Sequence, residues 1–203
     1  MLEVEGVKIE NSALVYEPAE DTFLAMNAIK KAAEGLKAPA SIIDIGTGTG
    51  ILGIYAASIT HAKRLVLCDI NKHAIELAQR NYELNGLNCK DVEIKESDLF
   101  ENIDGVFDLL IFNAPYLRST YSSPSMLNKA WEGGRRGIEI SIKFLNQAAA
   151  HSDANSRIIL IASSLSDFDG LKKSIEELGY EVKDLAKEHY FFEDIIALTL
   201  AKA

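Results

Sequence analysis

The chain has 203 residues, 48% of them apolar, enough for one filled core; its four prolines and thirteen glycines are scattered, and neither a repeat nor a low-complexity linker divides it. One domain is expected over 1–203, with an N-terminal segment and helix at 1–36 leading into a core at 41–203. Twenty-one basic against thirty acidic residues give a net charge of −9, and the basic doublets at 30–31, 135–136 and 172–173 make no electropositive stripe, so a neutral or basic protein partner fits better than nucleic acid.

The N-terminus "MLEVEGVKIENSALVYEP" is charged throughout, and no later stretch approaches the roughly 18 apolar residues of a membrane span, so a cytoplasmic protein without membrane attachment is expected. The first predicted element is an amphipathic helix in "TFLAMNAIKKAAEGL", with Phe23, Met26, Ile29 and Ala33 at helical spacing and Gly35 as a C-terminal cap. "SIIDIG" (41–46) reads as a strand closing on glycine, and "GILGIYAASI" as a helix beginning near Gly50. The pattern repeats through "RLVLCDI" (strand), "KHAIELAQRNYELNG" (helix ended by Gly86), "DVEIKESD" (strand) and "FDLLIF" (strand). A helix is predicted from about Gly137, then "RIILIASS" as a strand and "FDGLKKSIEELG" as a helix capped by Gly179. "YEVKDLAKE" and "DIIALTLAK", joined by "HYFFE", read as two antiparallel strands. Alternating helices and continuous apolar strands predict an α/β, doubly wound, seven-stranded, mostly parallel sheet with an antiparallel C-terminal hairpin. The two cysteines, Cys68 in a strand and Cys89 near a loop, form neither a disulfide framework nor a metal motif, and a structural role is expected for both; no metal site is expected.

Ligands of open parallel sheets bind beyond the carboxyl ends of the strands, and the first strand ends in "DIGTGTG". Gly46, Gly48 and Gly50 allow a sharp turn close to a ligand, although a glycine-rich turn alone is also simply a tight loop. Asp44, two positions before the first glycine, disfavours a pyrophosphate and favours an amino-acid cation. Asp69 ends the next strand, where a nucleoside's ribose hydroxyls are held, and Ile70 follows to cover an adenine face. The two acids suit S-adenosyl-L-methionine better than a nicotinamide dinucleotide. In "ESDLF", Asp98 is placed either to accept from an adenine amino group, with Leu99 as an apolar wall, or as an ordinary N-cap. "NAPY" ends the fourth strand across the switch point. There the Asn113 side-chain oxygen and the Ala114 carbonyl offer two acceptors to a planar NH2, Pro115 stiffens the turn, and Tyr116 can stack on a flat group; an ordinary Asn-Pro turn is the simpler reading of the motif by itself.

Taken together, "VYEPAEDTF" (15–23), "DIGTGTG" (44–50), "CDIN" (68–71), "SDLF" (97–100), "NAPY" (113–116) and "WEGGRRG" (131–137) resemble the HemK/PrmC family of protein glutamine methyltransferases, in its short archaeal and eukaryotic branch without an added N-terminal domain. The resemblance covers nearly the whole chain. It implies transfer of a methyl group from S-adenosyl-L-methionine to the glutamine of the Gly-Gly-Gln motif of a class I translation release factor. It further implies that Thr22, Asp44, Gly46, Asp69, Asp98 and Leu99 line the cofactor site, that Asn113 to Tyr116 hold the target glutamine, and that a small zinc-binding activator subunit adds to the sheet edge at "DVEIKES". The family pattern is Asn-Pro-Pro-Tyr; Ala114 departs from it, keeping the carbonyl and losing some pre-organisation of Asn113.

Other readings share these motifs: an adenine-N6 methyltransferase acting on a flipped base, a protein-lysine methyltransferase, or a non-catalytic S-adenosylmethionine-binding module. His61, His73, His151 and His189 fall at predicted helix ends or loops and read as solvated rather than catalytic. The connection from 117 to 134 is long enough to serve as a lid or substrate surface, Trp131 within it is either a core anchor or a substrate-facing wall, and Arg135 and Arg136 read as surface charges at a helix start.

Overall fold

The computed structural model describes residues 1–37, 40–116 and 133–203; the expectations for Trp131 and most of the 117–134 connection lie outside them. A hairpin absent from the sequence reading opens the chain, β1 (Leu2–Val4) and β2 (Val7–Ile9), turning through Glu5 and Gly6 at positive φ. There follow α1 (Glu20–Ala33), β3 (Ser41–Ile45), α2 (Ile51–Thr60), β4 (Arg64–Asp69), α3 (Lys72–Asn85), β5 (Asp91–Glu96) and β6 (Leu109–Phe112). The chain then runs through α4 (Glu139–Ala148), β7 (Arg157–Ser163), α5 (Phe168–Glu177), β8 (Tyr180–Tyr190) and β9 (Glu193–Lys202).

Seven strands form one sheet in the order β5-β4-β3-β6-β7-β9-β8. The first five are parallel, and β9 runs antiparallel to both β7 and β8. Chain order reverses between β3 and β6, which opens the crevice of a doubly wound sheet at their carboxyl ends. Strand alternation divides the core in two. Ile42, Leu65, Leu109 and Ile159 face α1 and α2, whereas Ile43, Val66, Leu110 and Ile158 face Phe144 of α4 and Leu171 of α5. Burial on both faces is why these strands read as continuous apolar runs.

The local details depart from the sequence reading in four places. In α1 the buried stripe is Leu24, Ala25, Met26, Ala28 and Ile29, and Phe23 lies outside it, 39% exposed, because the face turned to the sheet also holds Asp21 and Thr22. Helix α4 begins at Glu139 rather than Gly137: Gly137 has φ +77°, and the Glu139 carboxylate accepts from the backbone N–H of Arg136 and Ile138. The hairpin connection shrinks to Phe191 and Phe192, which puts His189 on β8. Finally, β2 is stitched to α3 by side chains acting as a neighbouring strand: Asn81 and Asn85 each accept from and donate to the β2 side, at Glu10 and Lys8, over 2.7–3.1 Å. Asn81 is fully buried and also donates to the Thr49 carbonyl at 2.8 Å, tying the N-terminal hairpin to the glycine turn. Among the described residues no helix is long and apolar enough to cross a membrane.

Beneath the glycine turn, Asp44 points into the α2 side of the sheet. Its Oδ2 accepts from the Thr47 hydroxyl at 2.7 Å and the Gly53 backbone N–H at 3.0 Å. A methyl at Gly53 would stand 2.3 Å from Leu67 Cδ2 and 2.9 Å from Asp44 Cβ, so α2 approaches the sheet there only because position 53 has no side chain. Gly53→Ala is expected to cost about 1–3 kcal/mol of unfolding free energy in urea titrations; an unchanged midpoint would contradict this packing. Burial drives the Asp44 carboxyl from 3.8 up to about 7, against the lowering effect of its two hydrogen bonds. Because the folded state keeps a proton that the unfolded state has already released, the stability present below 3.8 is lost as pH rises through about 7. Asp44→Asn keeps an acceptor and removes the titration, so its stability should fall less across that window, by on the order of 4 kcal/mol. Urea denaturation of both proteins over the same pH series checks this, and equal slopes would disprove it.

Candidate active site

A cavity of about 400 Å³ lies beyond the carboxyl ends of β3, β4, β5 and β6, roofed by Val15, Tyr16 and Pro18 from the segment before α1. Of the residues singled out by sequence, Thr22, Gly46, Gly48, Asp69, Ile70, Asp98, Leu99, Asn113 and Pro115 line it. Asp44, Ala114 and Tyr116 do not. Asp44 is 1% exposed and spends its acceptors on the turn and on α2, because its strand position faces the helix while its neighbour Ile45 faces the cavity. Its hydrogen bonds shape the glycine turn and its packing on α2. Ala114 is buried in the second core cluster. The Tyr116 phenol donates to Asp21 at 3.3 Å.

The glycine turn is held from β4. Gly46, Gly48 and Gly50 all have positive φ, and the Gly48 N–H donates to Asp69 Oδ2 at 3.1 Å. Asp69 Oδ1 accepts from Asn71 N at 2.9 Å. Burial pushes the Asp69 carboxyl up, and these backbone donors pull it back. Backbone donors from Gly48, Ile70 and Asn71 on a carboxylate with about four acceptor positions still leave capacity for a ligand hydroxyl. Ile70 is 44% exposed along the cavity, an apolar face awaiting cover. At the next strand end Asp98 is paired with Lys143 of α4 at 3.0 Å, so both charges belong to the wall. Leu99 sits at φ +52°, an uncommon conformation for a bulky residue, stabilised by the Ser97 hydroxyl donating to its carbonyl at 3.0 Å.

Asp21, in the first turn of α1, is the functional residue that sequence reasoning passed over. It is 4% exposed and accepts from five donors. Tyr16 OH (3.1 Å), Thr22 N (2.7 Å) and Thr22 Oγ1 (3.2 Å) reach its Oδ1; Asn113 Nδ2 (3.0 Å) and Tyr116 OH (3.3 Å) reach its Oδ2. Burial, with the Asp21 charge next, raises both tyrosine hydroxyls above their ordinary range. The carboxylate also decides which way the Asn113 amide faces. Since the NH2 must meet Asp21, the oxygen is turned the other way, and Oδ1 is buried with no hydrogen-bond partner among the described residues. A buried acceptor without a partner costs on the order of 1–3 kcal/mol, a cost that a bound N–H donor removes. The signal was in "PAEDT" all along, but Asp21 and Asn113 are 92 residues apart and nothing local joins them.

"GGRRG" packs backbone to backbone on the same turn. A Cβ at Gly133 would lie 2.3 Å from the Pro115 carbonyl oxygen and one at Gly137 would lie 2.5 Å from that of Tyr116. Arg136 is an exposed charge just before α4, and its guanidinium binds Asp167, the N-cap of α5, through Nε at 2.8 Å and Nη2 at 2.5 Å. None of the four histidines lines the cavity; His151 is half-buried, stacked on Phe100 with its Nδ1 2.8 Å from the Gly105 carbonyl.

Residues 21–191 match the methyltransferase small domain family. A Methanocaldococcus jannaschii protein assigned as a protein N5-glutamine methyltransferase is 33% identical over 200 residues, 98% of this chain and 97% of its own length. The mouse methyltransferase HEMK2 is 33% identical over 171 residues, 82% of this chain and 80% of its own length. In fold, the chain is similar to a chain of the E. cuniculi Mtq2–Trm112 complex, described as responsible for methylating the translation termination factor eRF1, with TM-score 0.69, 23% identity and coverage of 93% of this chain and 99% of that one. With the cavity at the sheet's switch point, the glycine turn pinned by Asp69 and the Asn113 turn facing it, the chain belongs to the methyltransferase small domain family, within its HemK branch of protein-glutamine methyltransferases.

Proposed function

We propose that the chain methylates the side-chain nitrogen of a glutamine in the Gly-Gly-Gln motif of a class I translation release factor, with S-adenosyl-L-methionine as methyl donor. The observation that carries this reading is the Asn113 oxygen, buried, without a partner among the described residues and held in place by Asp21. An acceptor so placed selects an N–H donor, and a carboxamide brings two. In this reading Asn113 Oδ1 takes one and the Ala114 carbonyl the other, which orients the NH2 with its nitrogen toward the cavity.

The cofactor site fits the residues present. Asp69 has acceptor capacity for a ribose hydroxyl, Ile70 and Leu99 offer apolar surface to an adenine, and Gly46 and Gly48 keep the turn free of side chains at the methionine end. Thr22 is held at the wall by its own bond to Asp21. When bound, the cofactor supplies an electrophilic methyl group on a sulfonium. The chain's contribution is positioning: the glutamine nitrogen is aimed in line, its lone pair is drawn from the amide carbonyl by two acceptors on its hydrogens, and its surplus proton leaves to solvent after transfer. Pro115, by restricting the residue before it, holds Ala114 extended so that its carbonyl keeps one direction.

We assign the outer edge of β5, which pairs only with β4 among the described residues, to a small activator subunit; the complex formed by the structurally similar Mtq2 supports that assignment.

The test is methyl transfer from labelled cofactor to a release factor, wild type or with its Gly-Gly-Gln glutamine replaced, with and without a candidate activator, followed by mass-spectrometric location of the label. Label on that glutamine alone is expected; label on a lysine, on nucleic acid or nowhere overturns the reading. Asn113→Ala and Asp21→Asn should each leave cofactor affinity within a few-fold and lower transfer about a hundredfold or more, the second because an amide at position 21 no longer dictates which atom of Asn113 faces it. Parallel loss of cofactor binding in both variants would show a structural role instead.

A further inference from the structure

Phe191 and Phe192 are 91% and 94% exposed, whereas every other large hydrophobic side chain among the described residues, apart from the N-terminal Met1, is less than half exposed. They are the whole connection between β8 and β9. A two-residue hairpin with positive φ at its first position favours glycine there, and Phe191 stands at φ +50°, which a bulky side chain adopts at a cost. Neither turn geometry nor burial accounts for the aromatic pair.

Its position does. Strands β7 and β8 are both antiparallel to β9 and therefore parallel to each other, so the turn stands at the same end of the sheet as the cavity. The hairpin base is fixed to the end of β7: Ser163 Oγ donates to Glu193 Oε2 at 2.6 Å, and Asp194 N donates to Ser164 Oγ at 2.9 Å. Tyr190, next to the tip, packs against the same core cluster as Tyr116. The charges of Glu193 on the phenols of Tyr16 and Tyr116, and of Glu20 on those of Tyr16 and Tyr190, raise them, in keeping with a tip on the Asn113–Tyr116 side of the site. Glu188 and Glu193 flank the tip in sequence and Glu20 acts on Tyr190 beside it, while Lys187 and His189 both meet the Asp194 carboxylate.

We propose that Phe191 and Phe192 form a docking post for the protein that carries the acceptor glutamine, seated in an apolar depression of that protein with a basic rim. The proposal rests on the glutamine reading above. Aromatic side chains that fill pockets dominate binding energy at interfaces, and an acidic surround steers a basic partner toward them. The acceptor residue is then delivered to Asn113 by a contact outside the cavity.

The test replaces the tip with residues suited to a turn whose first position alone has positive φ, Phe191→Gly with Phe192→Asn, a change that keeps the hairpin and removes only the aromatic surface. In the full-length protein, cofactor affinity and kcat for a release factor should be unchanged, while KM for that protein rises about tenfold or more. An unchanged KM overturns the proposal, as does a joint fall in cofactor affinity and kcat. Titration of the release factor without turnover separates the two readings. Binding that the variant loses, with no transfer by wild type, sinks the glutamine reading and keeps the post; no binding by wild type removes the post's occupant and the proposal with it.

Discussion

The site depends on one buried carboxylate. Asp21 is removed from water, and a charge so placed persists only where donors replace its hydration. The chain brings five, from the segment before α1, from the first turn of α1 and from the end of β6. Meeting that demand fixes Tyr16 over the cavity, Thr22 in its wall and Asn113 in a single amide orientation. The helix N-terminus favours the negative charge at the same time. One electrostatic requirement thus orders the roof, the cofactor wall and the substrate turn together.

The same carboxylate bears on Ala114. A second proline would have restricted Asn113 through the chain itself. Here Pro115 restricts only Ala114, and the restraint on Asn113 comes from outside its own turn, through the 3.0 Å bond to Asp21. Burial of the Ala114 methyl in the core and the close backbone packing of Gly133 and Gly137 hold the turn from the other side. A motif that departs from its family pattern at one residue can therefore keep its geometry through its surroundings.

Asp44 and Asp69 divide work that composition alone would give to both. The two strands are adjacent, yet Asp44 faces α2 and is consumed by Thr47 and Gly53, whereas Asp69, at the strand end, pins Gly48 and still borders the cavity. Depth in the strand decides the difference. A carboxylate within a strand buried on both faces must be satisfied internally, whereas one at the terminus can share itself with a ligand.

Much of this architecture is legible in the chain. Period-two and helical spacing, glycine turns and apolar runs depend on residues within a few positions, so the order of elements, the mostly parallel sheet, the glycine turn after β3 and the antiparallel end could be read directly. The resemblance carried by "DIGTGTG" and "NAPY" likewise located most of the cavity wall. What the chain could not disclose are contacts between residues distant in sequence: the orphaned oxygen of Asn113, the Asp21 hub, Asn81 and Asn85 acting as a strand beside β2, and the inward turn of Asp44. Those follow from strand order and helix placement, because a hydrogen bond across 92 residues exists only once the sheet has set its partners within 3 Å of one another. The sequence by itself determined which elements form and which residue types stand at the strand ends; the tertiary structure alone decided which atoms of those residues are spent inside the protein and which remain for a ligand.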